Sequence, residues 1–527
     1  MKIQDAYRLW LEKTADNEEL RQELLPIGND TAAIEDRFYR ELEFGTGGLR
    51  GVLGVGTNRM NVYTVAKATQ GYSNHLKKNF SRPSVSIAYD SRIHSDIFAE
   101  TAACVFAANG IMVHLYDHLM PTPSLSFAVR DLHCSGGVVI TASHNPAKYN
   151  GYKVYGGDGC QITTEAAKAI QQEINCVDPF ADVQIMEFAA AMQTGRISYI
   201  GEDTIDRYLA AVSTASVLPK NVERNVAIVY TPLNGTGISC VPRCLREHGF
   251  DNITIPDEQA EPDGNFSTCP YPNPEIREAL EIGLKWAEKT GSDLLLATDP
   301  DCDRVGTAVK TEDGYRLING NEMGVLLLDF ICRMRLAQGT MPQKPLAVKT
   351  IVTTPMAAKV AEHYGVELVD VLTGFKFIGE QIGLLEKKGE ADRYIFGFEE
   401  SYGYLSGSFV RDKDAVNASL LICEMFTWYR AQAGFVRMKE LTAALRQDPP
   451  TSLAGETVER VLDYDRDGTG LPRSNVLRFL MHDGEAVVRP SGTEPKLKIY
   501  LTAAKGSREE SRRMIEAMER HFAVWAK

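Results

Sequence analysis

The sequence predicts an α/β protein of several domains that closes in an α+β unit. Three observations carry that expectation. The chain has 527 residues, more than one hydrophobic core sustains, and this points to roughly three or four domains. From about residue 84 to residue 398, apolar runs of strand length alternate with stretches of helical periodicity, and the pattern recurs three times. Such alternation builds mixed, mostly parallel sheets covered on both faces. Beyond residue 446 the alternation stops, and short strands flank a tight turn before a last amphipathic helix.

In chain order, MKIQDAYRLWLEK reads as the start of an amphipathic helix. It lacks a basic stretch followed by an apolar core, so it is not expected to be a secretory signal. Ser84 to Tyr89 alternates as a strand, Ser95 is expected to cap a helix running through Ala108, and Gly110 to stop it. Ile111 to Tyr116 and Val138 to Thr141 are further strands. The second repeat holds strand Val226 to Tyr230, helix 236–248, strand Ile253 to Ile255, helix 274–289 and strand Leu294 to Ala297. The third holds a helix from Asn321 to about Arg335, strand Leu346 to Val352, helices near 356–364 and 376–388, and strand Tyr394 to Phe398. In the final unit, Val476 to Met481 and Glu485 to Arg489 flank His482-Asp483-Gly484, Lys496 to Ala503 is a third strand, and Ser507 to Ala526 is a helix.

Composition narrows the partners. Hydrophobic residues make up 44% and charged residues 24%, as in an ordinary globular protein. The net charge of -13 repels nucleic acid and anionic lipid at long range, so neither is expected as a partner. No apolar run reaches the roughly 18 residues of a membrane span. The ten cysteines form no C-x-x-C and no zinc-spaced cluster, and Cys240 and Cys244 are the closest pair. Reduced structural thiols in a cytoplasmic protein are the expectation.

Ligands of open α/β sheets collect at the carboxyl ends of strands, so the segments that follow each strand matter most. TASHNP follows Val138–Ile140, TDPDCDR follows Leu294–Ala297, and GFEES follows Tyr394–Phe398. RPSGTEPK follows Val487-Val488 in the last unit. Four units each offering one polar loop suggest a single central cleft. Asp299, Asp301 and Asp303 crowd three carboxylates into five residues. They repel one another unless a cation sits among them, and a hard ion such as Mg²⁺ takes oxygen ligands while leaving room for substrate. A solvated acidic turn is the plain alternative, but Asp299 follows a buried strand. The segment Asp463-Tyr464-Asp465-Arg466-Asp467-Gly468 spaces its acids similarly. Its twelfth position is Ser474, not glutamate, so a polar hairpin turn is expected there.

Ser143 lacks the flanking glycines of a hydrolase elbow. On an extended segment the side chain of His144 would point away from it, so no Ser143–His144 dyad is expected. Beside a cation site, Ser143 could carry a phosphate, whose three acceptor oxygens would add a metal ligand; an ordinary turn would also account for it. In RPSGTEPK, Arg489 can fork onto a phosphate while Ser491, Thr493 and the Gly492 amide add donors. A polar β-turn is the alternative there.

Together, TASHNP, DPDCDR, GFEES and RPSGTEP, in this order, resemble the α-D-phosphohexomutase superfamily, in its phosphoglucomutase/phosphomannomutase branch that also includes phosphopentomutases and sugar-bisphosphate synthases. GTGGLRG at 45–51, NGYKVY at 150–155, TGFKFIG at 373–379 and RDKDA at 411–415 extend the resemblance over nearly the whole chain.

The resemblance implies three α/β domains, 1–205, 206–319 and 320–445, and an α+β domain, 446–527, around a central cleft. It implies that Ser143 carries the phosphoryl group and that Asp299, Asp301 and Asp303 hold one Mg²⁺ per subunit, completed by phosphorylated Ser143. Arg304 would lie beside the phosphoserine. Arg50 and Lys153 would lie near the reacting phosphate, Lys153 as candidate general acid/base, provided that neighbouring cations or burial depress its pKa. His144 is the weaker alternative. Thr373, Gly374, Lys376, Glu399, Ser401 and Lys413 would face the sugar, and Arg489, Ser491, Gly492 and Thr493 the distal phosphate. Glucose 1-phosphate and glucose 6-phosphate are the implied small-molecule partners, with glucose 1,6-bisphosphate as intermediate and activator and mannose phosphates as further substrates. Phosphopentomutase and glucose 1,6-bisphosphate synthase stay open as alternatives. Outside the family, a metal-dependent phosphatase and a non-catalytic sugar-phosphate sensor share parts of the pattern. No pattern encodes an oligomeric state.

Overall fold

Among the described residues, five runs of four or more residues form strands with every residue buried: Gly136–Ile140, Ile228–Thr231, Leu294–Thr298, Leu346–Thr350 and Tyr394–Phe398. Strands hydrophobic along their whole length belong in the middle of sheets covered on both faces. The computed structural model, which describes residues 3–45, 47–466, 473–491 and 497–523, places them there.

The first sheet runs Gly48–Val52, Tyr149–Gly156, Gly136–Ile140, Ser84–Tyr89, Met112–Leu115, Ile197–Tyr199. Its last four strands are parallel, while Tyr149–Gly156 runs antiparallel to both of its neighbours. The second runs Gly314–Ile318, Val305–Thr311, Leu294–Thr298, Ile228–Thr231, Ile253–Thr254. The third runs Glu367–Val371, Leu346–Thr350, Tyr394–Phe398, Tyr404–Leu405. These three mixed sheets belong to one compact unit, Met1–Val217 with Arg224–Glu424.

Helix ends follow local chemistry. The Gly320–Gln338 helix opens on a capping box between Asn319 and Glu322 and closes on left-handed Gly339. The Arg277–Thr290 and Met356–Tyr364 helices likewise end on left-handed Gly291 and Gly365. One expected cap is corrected. The Ser95–Ala108 helix is preceded by His94 with φ of 64°, and Ser95 Oγ donates to Asp90 Oδ1 and accepts from no amide of the helix start. Expected helix 236–248 is split into a 3-10 turn, Thr236–Ser239, and a helix, Val241–Glu247.

The second compact unit, Leu218–Glu223 with Met425–Lys527, holds an antiparallel sheet ordered Ser452–Leu453, Glu456–Asp463, Leu477–Met481, Gly484–Pro490, Leu497–Ala503. Leu477, Phe479, Ala486 and Val488 pack with Met514, Met518 and Phe522 of the Arg508–Ala523 helix. Asp463 pairs with Leu477 across the hairpin and accepts from Arg446 Nε at 2.9 Å, so the second acidic repeat begins in a hairpin connection. Among the described residues no helix is long and apolar enough to cross a membrane.

Candidate active site

The Gly136–Ile140 strand ends at Thr141, and the chain then turns. Ser143 has φ of 52°, a left-handed conformation that costs an L-residue about 1–2 kcal/mol. Its amide donates to Thr141 Oγ1 at 2.8 Å. The turn corrects the expectation of an extended segment: Ser143 Oγ lies 3.3 Å from His144 Nδ1. A dyad is disfavoured for another reason. Burial, and then the Arg304 guanidinium, push the His144 imidazole down to about 3, which leaves it neutral and a weak base near pH 7.

Ser143 Oγ donates to Asp299 Oδ2 at 3.0 Å, joining the serine loop to the loop after Leu294–Thr298. Asp299, Asp301 and Asp303 are all buried, and each places a carboxylate oxygen within 4.8 Å of the others. Asp299 Oδ1 takes the amides of Asp303 and Arg304 at 3.1 and 3.0 Å. Burial and the neighbouring Asp301 and Asp303 raise the Asp299 carboxyl well above the usual range. Burial works to raise Asp301 too, but Lys153 and Lys413 together hold that carboxyl below its usual value.

Two lysines close on the triad. Lys153, on the Tyr149–Gly156 strand, reaches Asp301 Oδ2 at 2.7 Å and Asp303 Oδ2 at 3.3 Å. Burial would lower its pKa, yet Asp301 and Asp303 prevail and the net shift is upward. The depression that a lysine base requires is therefore not produced by these neighbours. Lys413 Nζ lies 3.1 Å from Asp303 Oδ2 and 3.0 Å from Asp412 Oδ1. Burial opposes the charge on Lys413, but Asp303 and Asp412 raise its pKa.

The residues fit a divalent cation. Asp301 Oδ1 and Asp303 Oδ1 are buried without a hydrogen-bond partner, a costly state for carboxylate oxygens unless a cation takes them. All-oxygen donors suit a hard ion. Among the described residues this is the one group of three or more acidic, cysteine or histidine side chains with such convergence.

The other predicted residues fall into three sets. Arg304 Nη1 donates to Glu275 Oε1 at 2.8 Å, and its Nε lies 3.7 Å from Asp303 Oδ1. Arg50 stands exposed on the edge strand Gly48–Val52, opposite Gly151, and its charge acts on His144 and Arg92. Gly48, at φ of 146°, admits no side chain, because a Cβ there would meet Tyr152 O at 1.9 Å. Glu399 is buried and accepts from the Gly374 amide at 3.0 Å, which draws the TGFKFIG and GFEES loops together. Burial raises the Glu399 carboxyl despite Lys413 and Arg304. Thr373 is exposed and Ser401 half-buried. Lys376 begins the Lys376–Lys387 helix with Nζ 5.4 Å above the Phe377 ring and is not drawn to the triad. Arg489 is exposed near the end of the Gly484–Pro490 strand, and Ser491 is half-buried. Gly492 and Thr493 lie outside the described residues.

Sequence reasoning missed two contributors. Thr122 opens the Thr122–Asp131 helix; its amide donates to Asp301 O at 2.9 Å and its Oγ1 to Asp301 Oδ2 at 3.0 Å. The Thr-Pro pair is a helix-start signal that could have marked it. Asp412 accepts from Tyr155 OH at 2.7 Å and lies inside RDKDA, where only the lysine drew notice.

A buried serine on a carboxylate triad, backed by two lysines and an arginine within an α/β scaffold, has the charge and geometry that phosphoryl transfer calls for, and the chain belongs to the phosphoglucomutase/phosphomannomutase family of the α-D-phosphohexomutase superfamily. Models for that family's α/β/α domains I, II and III match residues 41–179, 206–314 and 319–448, and its C-terminal domain matches 437–521. A phosphoglucomutase of Staphylococcus aureus (strain USA300) is 35% identical, covering 97% of this chain and 98% of its own. One of Staphylococcus saprophyticus is 34% identical over the same shares. Among solved structures, a putative phosphomannomutase of Thermus thermophilus matches with a TM-score of 0.61 at 24% identity, covering 92% of this chain and 99% of that one. The phosphoglucomutase parafusin of Paramecium, in its open form, matches with a TM-score of 0.57 at 17% identity, covering 92% and 96%. The last two similarities speak to the fold alone. The family is one of isomerase-class phosphotransferases.

Proposed function

We propose that the chain interconverts glucose 1-phosphate and glucose 6-phosphate, with mannose phosphates as further substrates, through a phosphorylated Ser143 and a sugar bisphosphate. The observation that carries this reading is Ser143 Oγ at 3.0 Å from Asp299 in a buried triad with two carboxylate oxygens that accept no hydrogen bond. Phospho-Ser143 gives its phosphoryl group to the free hydroxyl of the sugar monophosphate: the bond from phosphorus to serine oxygen breaks as the bond to sugar oxygen forms. The resulting glucose 1,6-bisphosphate turns end for end and returns its other phosphate to Ser143, so it acts as both intermediate and activator. Such transfers need positioning and charge neutralisation above all. Arg50, Lys153 and Arg304 supply positive charge around the reacting group. Thr373, Gly374, Lys376, Glu399, Ser401 and Lys413 serve the sugar, and Arg489, Ser491, Gly492 and Thr493 the phosphate that is not reacting. Asp299, Asp301 and Asp303, completed by Ser143, would hold one Mg²⁺ per subunit, which supplies Lewis-acid stabilisation of phosphoryl charge.

The domains we assign to these loops are 1–205, 206–319, 320–445 and 446–527. Nine of the ten cysteines are buried, which suits structural thiols in a reducing compartment, and we place the protein in the cytoplasm. The test supplies glucose 1-phosphate with a trace of glucose 1,6-bisphosphate and follows glucose 6-phosphate and free phosphate separately. Intact-mass spectrometry should show one phosphate adduct that Ser143→Ala abolishes. Release of free phosphate without glucose 6-phosphate would indicate a phosphatase. Binding without an adduct would indicate a sensor.

A further inference from the structure

Two buried residues outside every motif quoted above control the backbone that presents Ser143. Asp90 and Arg92 follow the Ser84–Tyr89 strand, and each is 2% exposed. The Arg92 guanidinium gathers four backbone carbonyls of the serine loop. Nη1 donates to Pro146 O and Tyr149 O, each at 3.0 Å, and Nη2 donates to Ser143 O and Asn145 O. Arg92 Nε lies 3.2 Å from Asp90 Oδ2. That same carboxylate oxygen accepts from Thr141 Oγ1 at 2.6 Å, and Thr141 Oγ1 accepts in turn from the Ser143 amide. Ser143 is therefore held at both its amide and its carbonyl by one buried ion pair and one threonine.

The arrangement has a chemical consequence. Left-handed Ser143 is not a conformation that the local sequence prefers, so something must impose it. Four carbonyl oxygens drawn to one cation fix the course of the backbone from Ser143 to Tyr149. The guanidinium is suited to this because its planar fork offers five fixed donors, which a lysine ammonium cannot reproduce. The guanidinium also stacks 5.0 Å from the Phe266 ring in the second sheet's part of the unit. There a Cβ on Gly264 would come within 2.6 Å of Ile93 N, so no side chain fits between the two segments.

We propose that Arg92, seated by Asp90 and acting with Thr141, is the positioning residue for phosphoryl transfer at Ser143: it touches no reacting atom and sets where the serine oxygen stands. This rests on Ser143 being the phosphoryl carrier. A displacement of about 1 Å at a reacting atom costs about 100-fold in rate. The loss should fall on the transfer step, since the sugar contacts lie on other loops.

The experiment loads wild-type enzyme and the Arg92→Lys, Arg92→Ala and Thr141→Val variants with phosphate from glucose 1,6-bisphosphate. It then follows single-turnover transfer to glucose 6-phosphate by quench and intact mass, with steady-state kcat and KM measured alongside. Arg92→Lys is expected to slow transfer about 100-fold with KM for glucose 1-phosphate within about threefold. Thr141→Val, which keeps the shape of the side chain, is expected to slow it about tenfold. Free guanidinium at millimolar concentration is expected to restore part of the rate to Arg92→Ala and none to Ser143→Ala. Transfer by Arg92→Lys and Thr141→Val within twofold of wild type, while the wild type carries its adduct on Ser143, overturns the positioning role alone. If Arg92→Ala does not fold, the other two variants decide the matter. A wild type that never acquires an adduct overturns the carrier reading and this inference with it.

Discussion

Replacing Thr122 with valine should weaken binding of the divalent cation while leaving the fold intact. Thr122 is fully buried and donates twice to Asp301, from its amide at 2.9 Å and from its hydroxyl at 3.0 Å. Valine keeps the branched shape and the amide bond and removes only the hydroxyl. A hydrogen bond to a charged acceptor contributes about 1.5–3 kcal/mol. If that energy serves to orient the Asp301 carboxylate, its loss corresponds to about 10- to 100-fold in metal affinity. Lys153 remains on the same oxygen at 2.7 Å, so the carboxylate stays charged and the lower half of that range is expected. The assay is calorimetric titration of Mn²⁺ and Mg²⁺ into chelator-stripped protein, with both proteins brought to the same phosphorylation state and checked by mass. Turnover at saturating Mg²⁺ should change by no more than about threefold. A Mn²⁺ affinity within twofold of wild type would refute the view that the start of this helix aligns a metal ligand.

Two further outcomes follow from the same geometry. Asp301→Asn should lower turnover about 100-fold or more even at saturating Mg²⁺, because the site then lacks one of the three anionic oxygens that would hold a divalent cation against the phosphoryl group; an unchanged rate in a coupled assay would remove Asp301 from the site. Asp414 supplies a pH signature. Burial lifts its carboxyl to about 6, while Tyr208 OH and the Asn417 amide donate to Oδ1, each at 2.9 Å. The raised pKa means that the folded state holds the proton more tightly than the unfolded chain. The stabilisation is therefore present below the unfolded value near 4 and is lost as pH rises through about 6, by about 3 kcal/mol in total. The difference in unfolding midpoint between wild type and Asp414→Asn, measured from pH 4.5 to 8, should shift against the wild type across that interval and then level off. A flat difference would show that Asp414 is not desolvated.

How much was legible depended on where each signal lies. Tyr394–Phe398 was read to the residue, and Leu294–Thr298 to within one, because a fully buried strand is an unbroken apolar run that stops at a polar loop. The Gly48–Val52 strand was missed, since its GLRGV carries neither alternation nor an apolar run. It forms because Tyr149–Gly156 pairs with it along its whole length, which is a tertiary fact. The Val62–Asn79 helix was missed despite a capping box between Asn61 and Thr64, because its buried face carries Thr69, Gln70, Gly71 and Ser73 among the apolar residues. Small and polar residues on that face leave little hydrophobic periodicity to read. Neither failure touched the metal loop, whose chemistry is carried by three residues in one short stretch.

The serine loop separates what a motif can show from what it cannot. TASHNP suggests a phosphoryl carrier only when taken with the other motifs that carry the family resemblance; its own residue types leave an ordinary turn open. It does not contain the conformation that makes the chemistry work. The expectation of an extended Ser143–His144 pair failed because φ at Ser143 is set from 51 residues away, where Arg92 takes the carbonyl of Ser143 into its fork. Asp90 and Arg92, an acid and a base two apart directly after a buried strand, were visible in the sequence all along. A charged pair in that position has few reasons to be buried unless it organises backbone that the sheet itself cannot satisfy. In α/β proteins of this kind, the strand end adjacent to a catalytic loop is therefore the place to look for what shapes it.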